Sequence, residues 1–188
     1  MKQMVLGGVL GGIVVFVWGM VSWMFLPFHH QSFQKFQNET MVQEVLVANA
    51  PKAGVYVLPN LPEKEKNFSS STFSFLMKKT HEKMEKGPSA LVSMRPKGCG
   101  PMGISMLRGL GIQILGAFFV TWLLLQTNIK NYFSKVIFVT IFALAAGIVC
   151  HLPQWNWWGF STPFTLLEIA DLLIGWTLAG FVIAKVAE

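Results

Sequence analysis

The sequence predicts an all-α membrane fold of four transmembrane helices with a small α/β insert between the first and second, on three observations. Apolar residues make up 53% of the 188 positions and aromatic ones 13%, and the mean hydropathy is +0.50, more than a water-soluble fold normally carries. The apolar residues are grouped into four stretches, Met4 to Leu26, Ile104 to Gln126, Phe133 to Leu152 and Phe164 to Val186. A hydrocarbon core about 30 Å thick needs about 20 helical residues, which each stretch meets or nearly meets. The hydrophilic residues are concentrated between the first two stretches. The chain therefore divides into a first span (1–26), an insert (27–103) and a three-helix region (104–188, with spans at about 104–126, 133–152 and 164–186).

Met1-Lys2-Gln3 leads directly into an apolar run that continues to Leu26 without a small-x-small cleavage site. A cleaved signal has a shorter apolar core, so this run is expected to remain as an uncleaved signal anchor. Gly7, Gly8, Gly11 and Gly12 form two overlapping small-xxx-small patterns, which predict a close approach by a neighbouring helix. The far end places Trp18 and Trp23 near the head groups, then stops at Pro27, followed by Phe28, His29 and His30.

In the insert, Phe28 to Ala48 carries Phe33, Phe36, Met41, Val45 and Leu46 at helix-like spacing. Val55 to Leu58 is β-branched and bounded by Gly54 and Pro59, a strand pattern, and Ala90 to Met94 is a second one. Between them, Pro59 to Ser71 reads as a mobile, protease-sensitive loop. A helix then runs from a Ser71 or Thr72 cap through Lys86 to Gly87-Pro88. Such a unit is too small for a generous core and is expected to lean on the membrane surface or a partner. Asn38-Glu-Thr40 and Asn67-Phe-Ser69 fit the glycosylation pattern, which bears only on a eukaryotic secretory setting.

The series Trp-Gly-x-x-Ser-Trp-x-x-Leu-Pro-x-His over residues 18–29, followed by Gly54-Val-Tyr-Val-Leu-Pro59 and Gly87-Pro-Ser, resembles a set of short uncharacterised bacterial inner-membrane proteins with four predicted spans. The resemblance covers about the first half of the chain. It implies the four-span architecture and carries over no functional residue.

The second span follows a turn-rich stretch, Arg95-Pro-Lys-Gly-Cys99-Gly-Pro101, and contains Arg108 about one turn in. A short turn with Lys130 leads to Lys135 and the third span, which is expected to close at Cys150-His151-Leu-Pro153. Trp155, Trp157 and Trp158 then read as interfacial anchors rather than as a stacking platform for a ligand.

Lys2, Lys130, Lys135 and Lys185 fall on one side of this arrangement, which puts both termini and the second connection in the cytoplasm and the insert outside. Arg95, Lys97 and Arg108 argue the other way, but a long loop translocates with little regard for its charge.

The last span holds Glu168 and Asp171, three residues apart and hence on one helical face. A carboxylate at membrane depth must turn toward other helices or water. Arg108 and Glu168 each lie four residues into their spans, about 6 Å deep at about 1.5 Å per residue. An Arg108–Glu168 ion pair with Asp171 one turn deeper is therefore the expected use of the two acids, and a proton or cation path through Asp171 is the functional alternative. Cys99 and Cys150 are the two cysteines, and both fall on the outer side, where a disulfide between them is one reading and free structural thiols the default. His29, His30 and His151 with the two acids are suitable ligand types for a divalent metal. Adjacent histidines on a helix point about 100° apart, however, so interfacial or capping roles are expected instead.

Several function classes lack a signal. The 10 basic and 6 acidic residues of 27–103 alternate in sign, as in Glu63-Lys64-Glu65-Lys66, which describes a solvated surface and not a nucleic-acid interface. There is no Cys-x-x-Cys, phosphate loop, nucleophile elbow or paired-histidine metalloprotease motif, and no cofactor is implied. The expectation is a non-catalytic component of a membrane assembly, with the bilayer and protein partners or further copies of itself as its neighbours. Its competitors are a small transporter or channel-like subunit using Glu168 and Asp171, and a membrane enzyme with its site at the outer interface.

Overall fold

The computed structural model describes residues 1–60 and 69–188. Its elements in chain order are α1 (Lys2–Phe25), α2 (Phe28–Ser32), α3 (Glu39–Asn49), β1 (Gly54–Leu58), α4 (Ser70–Lys86), β2 (Ala90–Met94), α5 (Met102–Leu125), α6 (Tyr132–Trp158) and α7 (Thr162–Val186). α1, α5, α6 and α7 are each long and apolar enough to cross a membrane, with mean hydropathies of 2.3, 1.6, 2.3 and 1.9. They leave large apolar side chains such as Leu107, Ile112, Ile141, Val149 and Leu166 exposed. A water-soluble protein does not expose apolar helix faces on this scale; this is the pattern of a multi-pass membrane protein.

Contacts divide the chain into two compact units, one of residues 1–34 and 100–188 and one of residues 35–99. In the helical unit α1 packs along both α5 and α7, and α7 packs along α6. The core is built from Val15, Ala117, Val120, Leu124, Val139, Ala143, Trp176, Ala179 and Ile183. Without a hydrophobic drive between helices in lipid, close contact and interhelical hydrogen bonds do the holding. The glycines of α1 supply the contact. A Cβ at Gly12 would lie 2.4 Å from Ile114 Cα, one at Gly8 2.9 Å from Phe118 Cα, one at Gly7 2.6 Å from Thr121 Cγ2, and one at Gly11 2.8 Å from Ile183 Cδ1. Gly7, Gly8 and Gly12 thus face α5 while Gly11 meets α7. Between α6 and α7 the hydroxyls of Thr140 and Thr177 are 3.1 Å apart and Tyr132 Oη donates to the Phe181 carbonyl. Lys135, only 7% exposed, donates from Nζ to the Ala187 carbonyl at 2.8 Å, where the C-terminal end of α7 favours a cation.

The unit of residues 35–99 contains one two-stranded antiparallel sheet, β1 with β2, in register from Gly54 opposite Met94 to Leu58 opposite Ala90. Its helices are capped by short polar side chains: Asn38 Oδ1 accepts from Met41 N at the start of α3, and Ser69 Oγ accepts from Thr72 N at the start of α4. Gly87, at φ 67°, ends α4. Few of its side chains are buried, Ala50 and Thr80 among them.

Three boundaries differ from expectation. The single helix read over Phe28 to Ala48 is two, because the Ser32 hydroxyl bonds back to the His29 carbonyl and Asn38 starts a new helix with its own cap. α4 is capped by Ser69, two residues earlier than Ser71, since Ser69 Oγ reaches the free Thr72 N–H. α6 does not stop near Leu152 but runs through Pro153 to Trp158, where Gly159 ends it in the left-handed conformation. An internal proline removes one ladder bond, which a helix of this length survives. The charged run Glu63 to Lys66, most of the loop read over Pro59 to Ser71 and the Asn67 pattern lie outside the described residues.

The glycine contacts carry a test. Gly12→Ala is expected to cost about 1–3 kcal/mol, as overpacking does, in detergent unfolding followed by circular dichroism. Gly19, on the same helix with no heavy atom within 4 Å of a Cβ, is expected to accept alanine with no loss. Equal behaviour of the two variants would show that α1 is not held by close approach.

Candidate functional site

On α7, Glu168, Asp171 and Gly175 follow one another at helical spacings of three and four, so they share one face. On α1, Trp18 and Ser22 are four apart and share another. These two faces meet. Trp18 Nε1 donates to Asp171 Oδ1 at 2.8 Å and lies 3.1 Å from the Asp171 carbonyl. Gly175 makes room for the indole, since a Cβ there would sit 2.7 Å from Trp18 Cδ1.

Pro27 then turns the chain. α1 ends at Phe25, Leu26 is extended, and the short α2 begins after Pro27. This turn carries His29 back over the end of α1 and against α7, where it is 0% exposed. Its Nε2 is 3.0 Å from Ser22 Oγ and 3.8 Å from Asp171 Oδ2, and its Nδ1 is 3.5 Å from Glu168 Oε1. Nδ1 and Glu168 Oε1 are both buried, and neither has a hydrogen-bond partner among the described residues. The Trp23 ring lies flat on the imidazole, centroids 3.9 Å apart and planes 14° from parallel. Phe33 contacts Trp23 on one side and Phe164 on the other, and Phe160 meets Phe164, which extends an aromatic cover beside the cluster.

The arrangement sets a cation-capable ring between two carboxylates. The two ring nitrogens point in different directions, Nδ1 to Glu168 and Nε2 to Ser22 and Asp171, so one imidazole faces two acids one helical turn apart. The same divergence keeps these groups from converging on one ion, and among the described residues no three His, Cys, Asp or Glu side chains form a metal-holding group.

The remaining candidate residues fall elsewhere. Arg108, the expected partner of Glu168, is exposed and forms no ion pair among the described residues. Depth alone does not pair two side chains: α1 stands between α5 and α7, so the face of α7 that carries the acids meets α1 and α2. Cys99 and Cys150 are both free and exposed. His30 is exposed and His151 is half-buried on α6, and neither side chain has an ion pair or hydrogen bond among the described residues. Trp18 donates a part-buried hydrogen bond to Asp171, and Trp23, itself 40% exposed, stacks on His29. Trp155, Trp157 and Trp158 are exposed on the last turns of α6, and Trp155 Nε1 donates to Thr162 Oγ1. Sequence reasoning did not single out Ser22 or Gly175; their four-residue spacings to Trp18 and Asp171 were the available signal.

No known protein family, curated protein or solved structure matches this chain.

The Trp18–Asp171 bond is testable by a double-mutant cycle. Trp18→Phe is expected to destabilise the protein by about 1–3 kcal/mol, because a carboxylate is left without its donor, and so is Asp171→Leu. The double variant is expected to lose less than the sum of the two, as neighbours that share an interaction do. Strict additivity in detergent unfolding would show that the bond contributes nothing.

Proposed function

We propose that this protein is a non-catalytic, partner-binding component of a membrane assembly in a bacterial inner membrane. In this reading both termini and the α5–α6 turn are cytoplasmic, and residues 27–103 are extracytoplasmic. The observation that carries it is the closure of the polar cluster. His29 is wholly buried, with Ser22, Glu168 and Asp171 directed at it and Trp23 over its face. A transporter or enzyme needs such groups turned to a substrate or an ion. Here they fix α2, the segment by which the chain leaves α1, against α1 and α7.

The unit of residues 35–99 supports the partner. A two-stranded sheet is marginal on its own, and small units usually need further surface to bury. Within this unit, a cleft of about 370 Å³ lies between α3, through Val42, Leu46 and Val47, and the end of β2 at Met94 and Arg95. It offers an apolar floor with Glu39 and Arg95 at its margin.

Two measurements test the reading. Gentle extraction from the native membrane followed by native mass spectrometry is expected to return the chain with other protein subunits in a fixed ratio. A clean homo-oligomer whose liposomes conduct ions, with the flux abolished by Asp171→Asn, would replace this reading with a transport one. For orientation, Cys99 in a Cys150→Ala background is expected to react with an impermeant maleimide added outside. Asn128→Cys, in the α5–α6 turn, is expected to react only after permeabilisation, and the reverse pattern would invert the topology.

A further inference from the structure

We propose that His29, Glu168, Asp171 and Ser22 form a site at which the neutral ring takes up one further proton, and that this added proton holds α2 against α1 and α7. The inference stands on the geometry of the cluster and does not depend on the identity of any partner.

It starts from two buried atoms that have only each other. His29 Nδ1 and Glu168 Oε1 face one another at 3.5 Å, and neither has a hydrogen-bond partner among the described residues. A proton on either atom relieves this contact, because a bare ring nitrogen against a carboxylate oxygen sets two lone pairs face to face. With that proton on Nδ1, the ring is neutral, its Nε2 accepts from the Ser22 hydroxyl, and the two part-buried carboxylates carry two negative charges with no cation beside them. Buried charge without compensation is strongly disfavoured where water is scarce.

A second proton, on Nε2, removes the conflict without moving a heavy atom. The Ser22 hydroxyl rotates and changes from donor to acceptor at the same 3.0 Å. The new N–H also faces Asp171 Oδ2 at 3.8 Å, and the ring becomes an imidazolium flanked by two anions. The stacked indole of Trp23 favours the charged ring as well, since the face of an indole attracts a cation. Asp171 keeps its Trp18 N–H donor in both states.

Among the described residues no other titratable side chain faces this ring from the elements packed on it. α7 contributes Glu168 and Asp171; α1 contributes Ser22, Trp18 and Trp23, none of which titrates at ordinary pH; and on α2 itself His30 is exposed. Among the described residues neither acid pairs with a lysine or arginine. The proton on Nε2 is thus the charge that fixes α2 to α7. Its loss as pH rises leaves the neutral Nδ1–Glu168 contact, the Ser22 bond and the aromatic stack.

The stack supplies the measurement, because an imidazolium quenches an indole it touches far more than a neutral imidazole does. The full chain in phosphatidylcholine nanodiscs is titrated from pH 9 to pH 5 and its tryptophan emission recorded beside that of Trp23→Phe. The wild-type protein is expected to show a reversible loss of emission on acidification that Trp23→Phe lacks. Trp23→Phe keeps an aromatic cover and the whole polar cluster, so it reports even if His29→Gln fails to fold. Glu168→Gln and Asp171→Asn each remove an anion that favours the imidazolium, so each is expected to move the quench to lower pH. His30→Gln is expected to leave the midpoint unchanged. Identical titrations of wild type and Trp23→Phe would overturn the proposal, and so would a midpoint unmoved by either acid substitution.

Discussion

A carboxylate on an apolar helix cannot be left facing lipid, and the arrangement of the helical unit follows from meeting that constraint twice on α7. Leaving one member of such a cluster unpaired costs several kcal/mol, a large fraction of the stability of a small protein. The shelter for Glu168 and Asp171 comes from one direction. α1 brings Trp18 and Ser22 to the same level, and α2 folds back to lay His29 between the acids. Glu168 and Asp171 remain about one-fifth exposed while His29 is wholly buried, so the cation is the group most fully withdrawn from the surroundings.

That shelter depends in turn on how closely α1 approaches its neighbours, and α1 divides the work along its length. Its first half carries four glycines, whose missing side chains let the α5 backbone come close at Gly8 and Gly12 and the Ile183 side chain of α7 at Gly11. Its second half carries the indole and hydroxyl groups that meet the acids. Gly175 continues the same principle on the opposing helix, where an added Cβ would strike the Trp18 ring. Close contact in one half therefore positions the hydrogen bonds in the other. A helix held farther off by larger residues at 7, 8, 11 and 12 would leave Trp18 Nε1 short of Asp171.

The local parts of this structure are legible in the sequence. Four apolar runs mark the long helices, Gly54 and Pro59 bracket a strand, and the spacing of Glu168 and Asp171 places both on one face. These signals are short-range, and each rests on the period of a helix or strand or on a turn residue. What a sequence does not encode locally is which helices are neighbours and how each is rotated about its axis. Arg108 and Glu168 were matched by depth alone, yet the interposition of α1 decides the partner. His29 looked interfacial because it follows a proline after an apolar run. Only the reversal at Pro27, together with the break at Ser32 that ends α2, turns it inward. The extension of α6 past Pro153 likewise depends on the left-handed glycine six residues on, a signal weaker in the sequence than the proline itself.

That the compensating group is a histidine, and not the arginine available on α5, has physical consequences. Guanidinium is a rigid fork suited to gripping one carboxylate with two parallel bonds, and it is charged under all ordinary conditions. Imidazole is smaller and flat, and its two nitrogens diverge, so a single ring can face acids on successive turns of one helix while an indole covers its face. Its charge also follows the proton supply. Ser22 completes the choice, because a hydroxyl serves as donor to the neutral ring and as acceptor from the charged one. An arginine at position 29 would hold one acid firmly, leave the other to Trp18 alone, and make the contact between α2 and α7 permanent. The residues actually present make that contact conditional on one proton.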